Sequence, residues 1–95
     1  MFTFSVVSPV IVIAPSDHVV VEGSNLTLFC NATGNPQPDI TWTKGGDSSV
    51  LSTSETLYLT NLRREDDGAV YSCIANNSVG FYTRNASITV LCEYT

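Results

Sequence analysis

Positive charge is scarce in this sequence. Lys44, Arg63, Arg64 and Arg84 stand against nine acidic residues, and the formal net charge is −5. A phosphate backbone is gripped by clustered Lys and Arg that release its counterions, so nucleic acid is excluded as a partner. Histidine occurs once, at His18, and no Cys-x-x-Cys spacing is present, so no zinc-ligand set can be assembled. Long apolar runs are missing too. The stretch from Phe2 to Ala14 is interrupted by Ser8 and Pro9 and falls short of the roughly 20 residues that cross a bilayer. It lacks the positive n-region of a signal peptide, because the first basic residue is Lys44. It is read as strand material behind a start methionine, and the chain is expected to carry no secretion signal and to insert no segment into a membrane. Sustained helical periodicity is absent as well, which excludes a helix bundle.

The 95 residues suffice for one domain. With 43% hydrophobic and 14% charged residues, the chain is too apolar for intrinsic disorder. A fold this small has a thin core, and a covalent staple would matter to it. Three cysteines are present, Cys30, Cys73 and Cys92, with four Asn-x-Ser/Thr acceptor sequences at Asn25, Asn31, Asn76 and Asn85. Together they point to an oxidising, secretory environment.

Short runs with period-2 alternation recur, separated by Gly, Pro, Asn, Asp and Ser. Leu26, Leu28 and Cys30 share one strand face, Ile40 and Trp42 another. Leu57 and Leu59 follow, then Ala69 to Ala75. After a turn at Asn77 to Gly80, Ala86, Ile88 and Val90 face one way. Seven or eight short strands without helical crossovers imply an all-β, antiparallel, two-sheet sandwich. Cys30 and Cys73 both fall mid-strand on inward faces. Were their strands in opposite sheets, a disulfide would cross the core against the Trp42 indole. In the chain-entropy account such a bridge gives roughly 4 kcal/mol. Tyr71 shares the face of Cys73 and suits a tyrosine corner, its hydroxyl bonded to backbone upstream.

Several motifs, in order, carry a specific resemblance: Cys30…Trp42…Cys73, Asp67-Gly-Ala-Val-Tyr71-Ser-Cys73, Leu57-x-Leu59, Gly34-Asn-Pro36-Gln-Pro38 and Ala75-Asn-Asn77-Ser-Val-Gly80. Over residues 9–91 the chain resembles an immunoglobulin-like domain, most closely the intermediate set of cell-adhesion molecules and receptor ectodomains. The interval from Trp42 to Leu57 is too short for the two extra strands of a variable domain. The resemblance implies a Greek-key sandwich with one inter-sheet disulfide, Cys30–Cys73, over a core that includes Trp42, Tyr71, Leu28 and Leu59. Residues 1–8 are then a linker, the tail of a preceding domain or added expression sequence. Residues 92–95 begin a linker.

No nucleophile is paired with a positioned base, so catalysis is not expected. No cofactor is implied. His18 reads as a solvated loop residue. Glu65, Asp66 and Asp67 read as turn residues, with Asp67 tied to Arg63 or Arg64, since calcium needs six or more converging oxygens. Asp47 sits where some adhesion-type domains present an acid to an integrin-bound metal, but Gly46 replaces the apolar residue that normally precedes it; it is a possible contact, the alternative being an ordinary flexible loop. Cys92 has no mate in the cross-sheet pairing. It is a free thiol, the site of an intermolecular bridge, or half of a bond to sequence outside the chain. Alternation turns Asn25 and Asn31 outward on one sheet and Asn76 and Asn85 outward on the other. Glycans there would push protein contacts to edges, loop tips or neighbouring domains. Phe29, Tyr58, Phe81 and Tyr82 are the exposed aromatic candidates, with Phe81 and Tyr82 beside the last turn as possible contacts. The expected function is an extracellular, non-covalent protein-binding module with a homophilic or heterophilic cell-surface partner or neighbouring domains. The alternative is a structural spacer in a tandem array. A muscle-type intracellular domain is disfavoured by the acceptor sequences and the cysteine pair.

Overall fold

The computed structural model describes residues 5–92. Nine strands lie among the described residues: β1 Val7–Ile13, β2 His18–Val21, β3 Leu26–Phe29, β4 Asn31–Asn35, β5 Asp39–Lys44, β6 Val50–Ser52, β7 Thr56–Leu59, β8 Val70–Asn76 and β9 Phe81–Leu91. A single 3-10 turn spans Arg64–Asp66. The strand set begins at Val7, two residues before the expected edge of the domain. Expectations placed on residues 1–4 and 93–95 lie outside the described residues.

Two layers form. The larger is a five-stranded sheet in the order β2-β9-β8-β5-β6. The other is built from the antiparallel ladders β1–β4 and β3–β7. β3 and β4 are successive lengths of one extended line, broken only at Cys30, whose N–H donates to the Glu55 carbonyl at 2.8 Å. The chain opens in the smaller layer, passes Pro15, and joins the larger one through β2, which runs parallel to β9. Proline cannot donate to a ladder, and its buried ring at position 15 marks the crossing.

Alternation decides which side chains meet between the layers. Leu28 and Leu57 are direct cross-strand partners in one sheet, as are Trp42 and Cys73 in the other. All four are buried, together with Ile11, Cys30, Ile40, Tyr71, Ala75, Ile88 and Val90. The Cys30–Cys73 disulfide joins the layers through this core. Trp42 is fully buried, and its Nε1 donates to the Ser54 carbonyl at 3.0 Å, so the one polar atom of the indole is satisfied. Leu59 is half-buried at the rim.

Candidate functional site

β8 and β9 run in register from Val70–Ser87 to Asn76–Phe81 and are joined by the turn Asn77–Gly80. The turn is fixed by one side chain. Asn77 Oδ1 accepts the N–H groups of Val79 and Gly80 at 2.9 and 3.1 Å, and the Asn77 N–H closes onto the Gly80 carbonyl at 3.0 Å. Its Nδ2 donates to the carbonyls of Val7 and Pro36, both at 2.9 Å. Asn77 therefore ties three segments at one end of the sandwich: the start of β1, the β4–β5 turn and the β8–β9 turn. Gly34 makes room for this. A Cβ there would stand 3.2 Å from both Asn77 Nδ2 and the Val7 carbonyl, and 3.1 Å from the Pro38 ring. The Asn35–Pro36 peptide is cis, and Asn35 Nδ2 donates to the Ser5 carbonyl. Sequence reasoning placed a turn at Asn77 but missed its anchoring role. The cue is an Asx-type turn residue that can cap its own backbone.

On this fixed end sit exposed apolar groups. Phe81 is 72% exposed and Val79 42%. Tyr82 points less freely into solvent, with the Arg84 guanidinium 5.4 Å from its ring centroid. Asp47 lies at the opposite end. β5 pairs Asp39 with Asn76 at the Phe81 end and Lys44 with Tyr71 at the other, and Asp47 lies beyond Lys44. At about 3.3 Å per residue this separates the two ends by roughly 17 Å. Phe81 and Tyr82 thus share one end of the sheet but, as successive strand residues, turn to opposite faces, Phe81 beside Asn76 and Tyr82 beside Ala75, and Asp47 lies apart from both. The exposed Asp47 carboxylate accepts the Ser49 N–H at 2.9 Å, and that bond holds its pKa below the usual range.

The remaining candidates resolve into structural roles. The Asp67 carboxylate pairs with neither Arg63 nor Arg64: its Oδ1 accepts the Val90 N–H at 2.9 Å, linking the turn to β9, and only its backbone N–H donates to the Arg64 carbonyl, at 3.1 Å. The acid that faces Arg63 is Asp66, whose Oδ2 accepts the Arg63 backbone N–H at 2.8 Å while Oδ1 lies 3.7 Å from Lys44 Nζ. The Tyr71 hydroxyl makes no backbone hydrogen bond among the described residues, so the expected tyrosine corner is not formed. Burial, and then the nearby Asp66 charge, push its pKa up, while Lys44 Nζ stands 5.9 Å from its ring. His18 Nδ1 pairs with the Ser16 carbonyl at 2.7 Å. No group of His, Cys, Asp and Glu among the described residues could hold a metal ion. Cys92 is free and half-buried, and Arg64 Nε donates to its sulfur at 3.2 Å.

All four acceptor asparagines occupy outer faces. Asn25, Asn76 and Asn85 are exposed and Asn31 is half-buried. Asn25 Oδ1 accepts the Asn61 N–H at 2.9 Å, and Asn85 Oδ1 accepts the Ser72 hydroxyl at 2.7 Å.

A two-layer sandwich closed by one disulfide over a buried tryptophan defines an immunoglobulin-type domain. The family model of the immunoglobulin domain matches residues 8–77, and the chain belongs to that family. Neuronal cell adhesion molecule of Mus musculus is 36% identical over 90% of this chain, which spans 7% of that protein. Probable oxidoreductase PXDNL of Homo sapiens is 42% identical over 86% of the chain, which spans 6% of it. The chain thus corresponds to a small part of each of these curated relatives. Among solved structures, one of Dpr2 Ig1-Ig2 in complex with DIP-Theta Ig1-Ig3 superimposes with a TM-score of 0.78 at 32% identity, over 90% of this chain and 32% of that one. No helix among the described residues is long and apolar enough to cross a membrane.

Proposed function

We propose that the chain is an extracellular protein-binding module of a cell-adhesion or cell-surface receptor protein. Recognition is non-covalent, and the chain itself performs no catalysis. The observation that carries this reading is the exposed pair Phe81 and Val79 on a turn that Asn77 holds rigid. A preordered apolar contact costs little entropy when a partner covers it, and central aromatic anchors supply much of the affinity of protein interfaces. Glycans on Asn25, Asn31 and Asn85 would leave this end of the sandwich free for protein, whereas one on Asn76, the direct cross-strand partner of Phe81, would stand beside the contact. The module begins with the first strand at Val7, two residues before the expected residue 9, and runs to residue 91, and residues 92–95 are the start of a linker. The absence of two further strands between Trp42 and Leu57, with one short strand, β6, in their place, favours the intermediate set.

A bead- or cell-aggregation assay of the displayed chain tests the reading. Phe81→Ser and Val79→Ser should each weaken association about tenfold or more, the loss of roughly 1.4 kcal/mol expected of an interface anchor. If no surface substitution alters association with itself or with neighbouring domains, the module is a spacer.

A further inference from the structure

The outer face of the β1–β4 and β3–β7 layer exposes two apolar side chains beside Asn31. Phe29 is 57% exposed and Ile13 53%. Phe29 precedes Asn31 by two residues on one extended line, so both project from the same face. Ile13 is the direct partner of Asn31 across the β1–β4 ladder. A hollow of about 260 Å³ opens there, lined by Ile13, Phe29, Cys30, Asn31, Glu55 and Thr56. Asn31 heads the acceptor sequence Asn31-Ala32-Thr33. Its Oδ1 accepts the Ala32 N–H at 2.8 Å, and Nδ2 is left without a protein partner among the described residues. No buried side-chain nitrogen goes unpaired there, so Nδ2 meets solvent.

We propose that an N-linked glycan on Asn31 is a structural part of this layer, its first N-acetylglucosamine lying against Phe29 with Ile13 at its edge. The inference rests on the extracellular reading, because the secretory pathway supplies the donor, a lipid-pyrophosphate-linked oligosaccharide. Nδ2 bonds to the anomeric carbon and gives up one proton as the bond from that carbon to the pyrophosphate breaks. Same-face neighbours on a strand are about 6.6 Å apart, a gap one pyranose ring spans. One face of that ring is mostly C–H, and it covers an aromatic ring without stranding a polar group. The covalent tether makes the contact intramolecular, so little freedom is lost in forming it. Asn25 and Asn85 lack this platform, with Gly23 and Thr83 two residues before them, while Asn76 faces a different aromatic, Phe81, its direct partner across the β8–β9 ladder.

The test uses the secreted chain from mammalian cells with Thr27→Ala, Ser78→Ala and Ser87→Ala, which silence the other acceptors and keep their asparagines. Melting temperatures are compared for the glycosylated form, the form trimmed enzymatically to one sugar, and Thr33→Ala, each with Phe29 and with Phe29→Ser. The same proteins from a non-glycosylating host correct for the substitutions themselves. Trimming should leave the melting temperature unchanged. Losing the last sugar should lower it by a few degrees with Phe29 and by nothing with Phe29→Ser. An equal drop in both backgrounds overturns the inference, as does the absence of any drop. Should Phe29→Ser not fold, upfield-shifted sugar protons that contact the Phe29 ring in NMR spectra decide the matter, and their absence counts against it. If mass spectrometry of the unaltered secreted chain finds Asn25, Asn76 or Asn85 modified but Asn31 bare, only this inference falls. If none is modified, the extracellular reading falls with it.

Discussion

The side-chain amide of Asn77 donates to the Val7 carbonyl, 70 residues earlier in the chain, at 2.9 Å. This bond and its twin to Pro36 hold the first strand and the β4–β5 turn against the turn that presents Val79 and Phe81. Asn77→Ala removes both donors and the two bonds that Oδ1 accepts. A net value of about 1 kcal/mol per bond at an exposed site, partly replaced by water, predicts a loss of 1–2 kcal/mol. Asn77→Asp keeps the acceptor of the turn but sets a carboxylate oxygen against the Val7 and Pro36 carbonyls, so it should lose at least as much. Urea melts measure the difference, and hydrogen exchange should quicken at Val7 to Val10 before it does in β8.

The disulfide should contribute on a larger scale. Cys30 and Cys73 close a separation of 43 residues and are essentially buried, 1% and 0% exposed. Reduction, or Cys30→Ala with Cys73→Ala, removes about 4 kcal/mol on the chain-entropy account. That is a large part of the ~5–15 kcal/mol typical of a domain. A fall of at least roughly 15 °C in melting temperature is expected. Thiol labelling of the unreduced native chain should find Cys92 alone reactive. Labelling of Cys30 and Cys73 as well, with melting unchanged by reductant, would contradict the architecture.

Cys30, Trp42 and Cys73 made the sandwich legible because each is a large or reactive group at a fixed alternation phase, and phase is a local property of sequence. The facing pairs Leu28–Leu57 and Trp42–Cys73 follow from the same period. The polar ties were not legible in this way. Asn77 reaches Val7 and Asp67 reaches Val90 across loops whose separation in space no local pattern encodes. Tyr71 shows the converse failure. Its phase correctly turns it inward, yet phase says nothing about what lies at the end of the ring, and the expected backbone acceptor is not there. Of the contact candidates, Phe81 and Tyr82 stay at one end of the sheet, but strand alternation turns them to opposite faces. Asp47 is a contact candidate by motif alone, and the β5–β8 register carries it to the far end.

Tyr71 gives the chain a specific alkaline limit. Burial, and then the Asp66 charge, raise the phenol above its ordinary pKa of 10. The unfolded chain therefore releases this proton first as pH rises. The folded state then holds more protons than the unfolded one, and stability declines with pH. The contribution is intact below about pH 10 and is lost as pH climbs toward the folded-state value. Denaturant unfolding between pH 8 and 11.5 should show a steeper decline for the native chain than for Tyr71→Phe, which has no phenol to ionise. Parallel curves would remove Tyr71 as the cause.

Asp67 offers a test of how the turn before β8 is locked to the last strand. Its carboxylate accepts the Val90 N–H at 2.9 Å, while the neighbouring Gly68 N–H donates to the Ile88 carbonyl at 2.8 Å. Val90 and Ile88 are buried core residues on β9, so the tie sets how that strand meets the core. Asp67→Ala leaves the Val90 N–H, itself part-buried, without its acceptor. A charge-assisted bond of this kind is worth about 1.5–3 kcal/mol. Asp67→Asn restores a neutral carbonyl acceptor in the same place and should recover about half of the loss. Were the acid instead to act through Arg63 or Arg64, Arg63→Ala and Arg64→Ala would reproduce the Asp67→Ala defect. The geometry predicts that they leave the stability of β9 unchanged, as read by exchange at the Val90 amide.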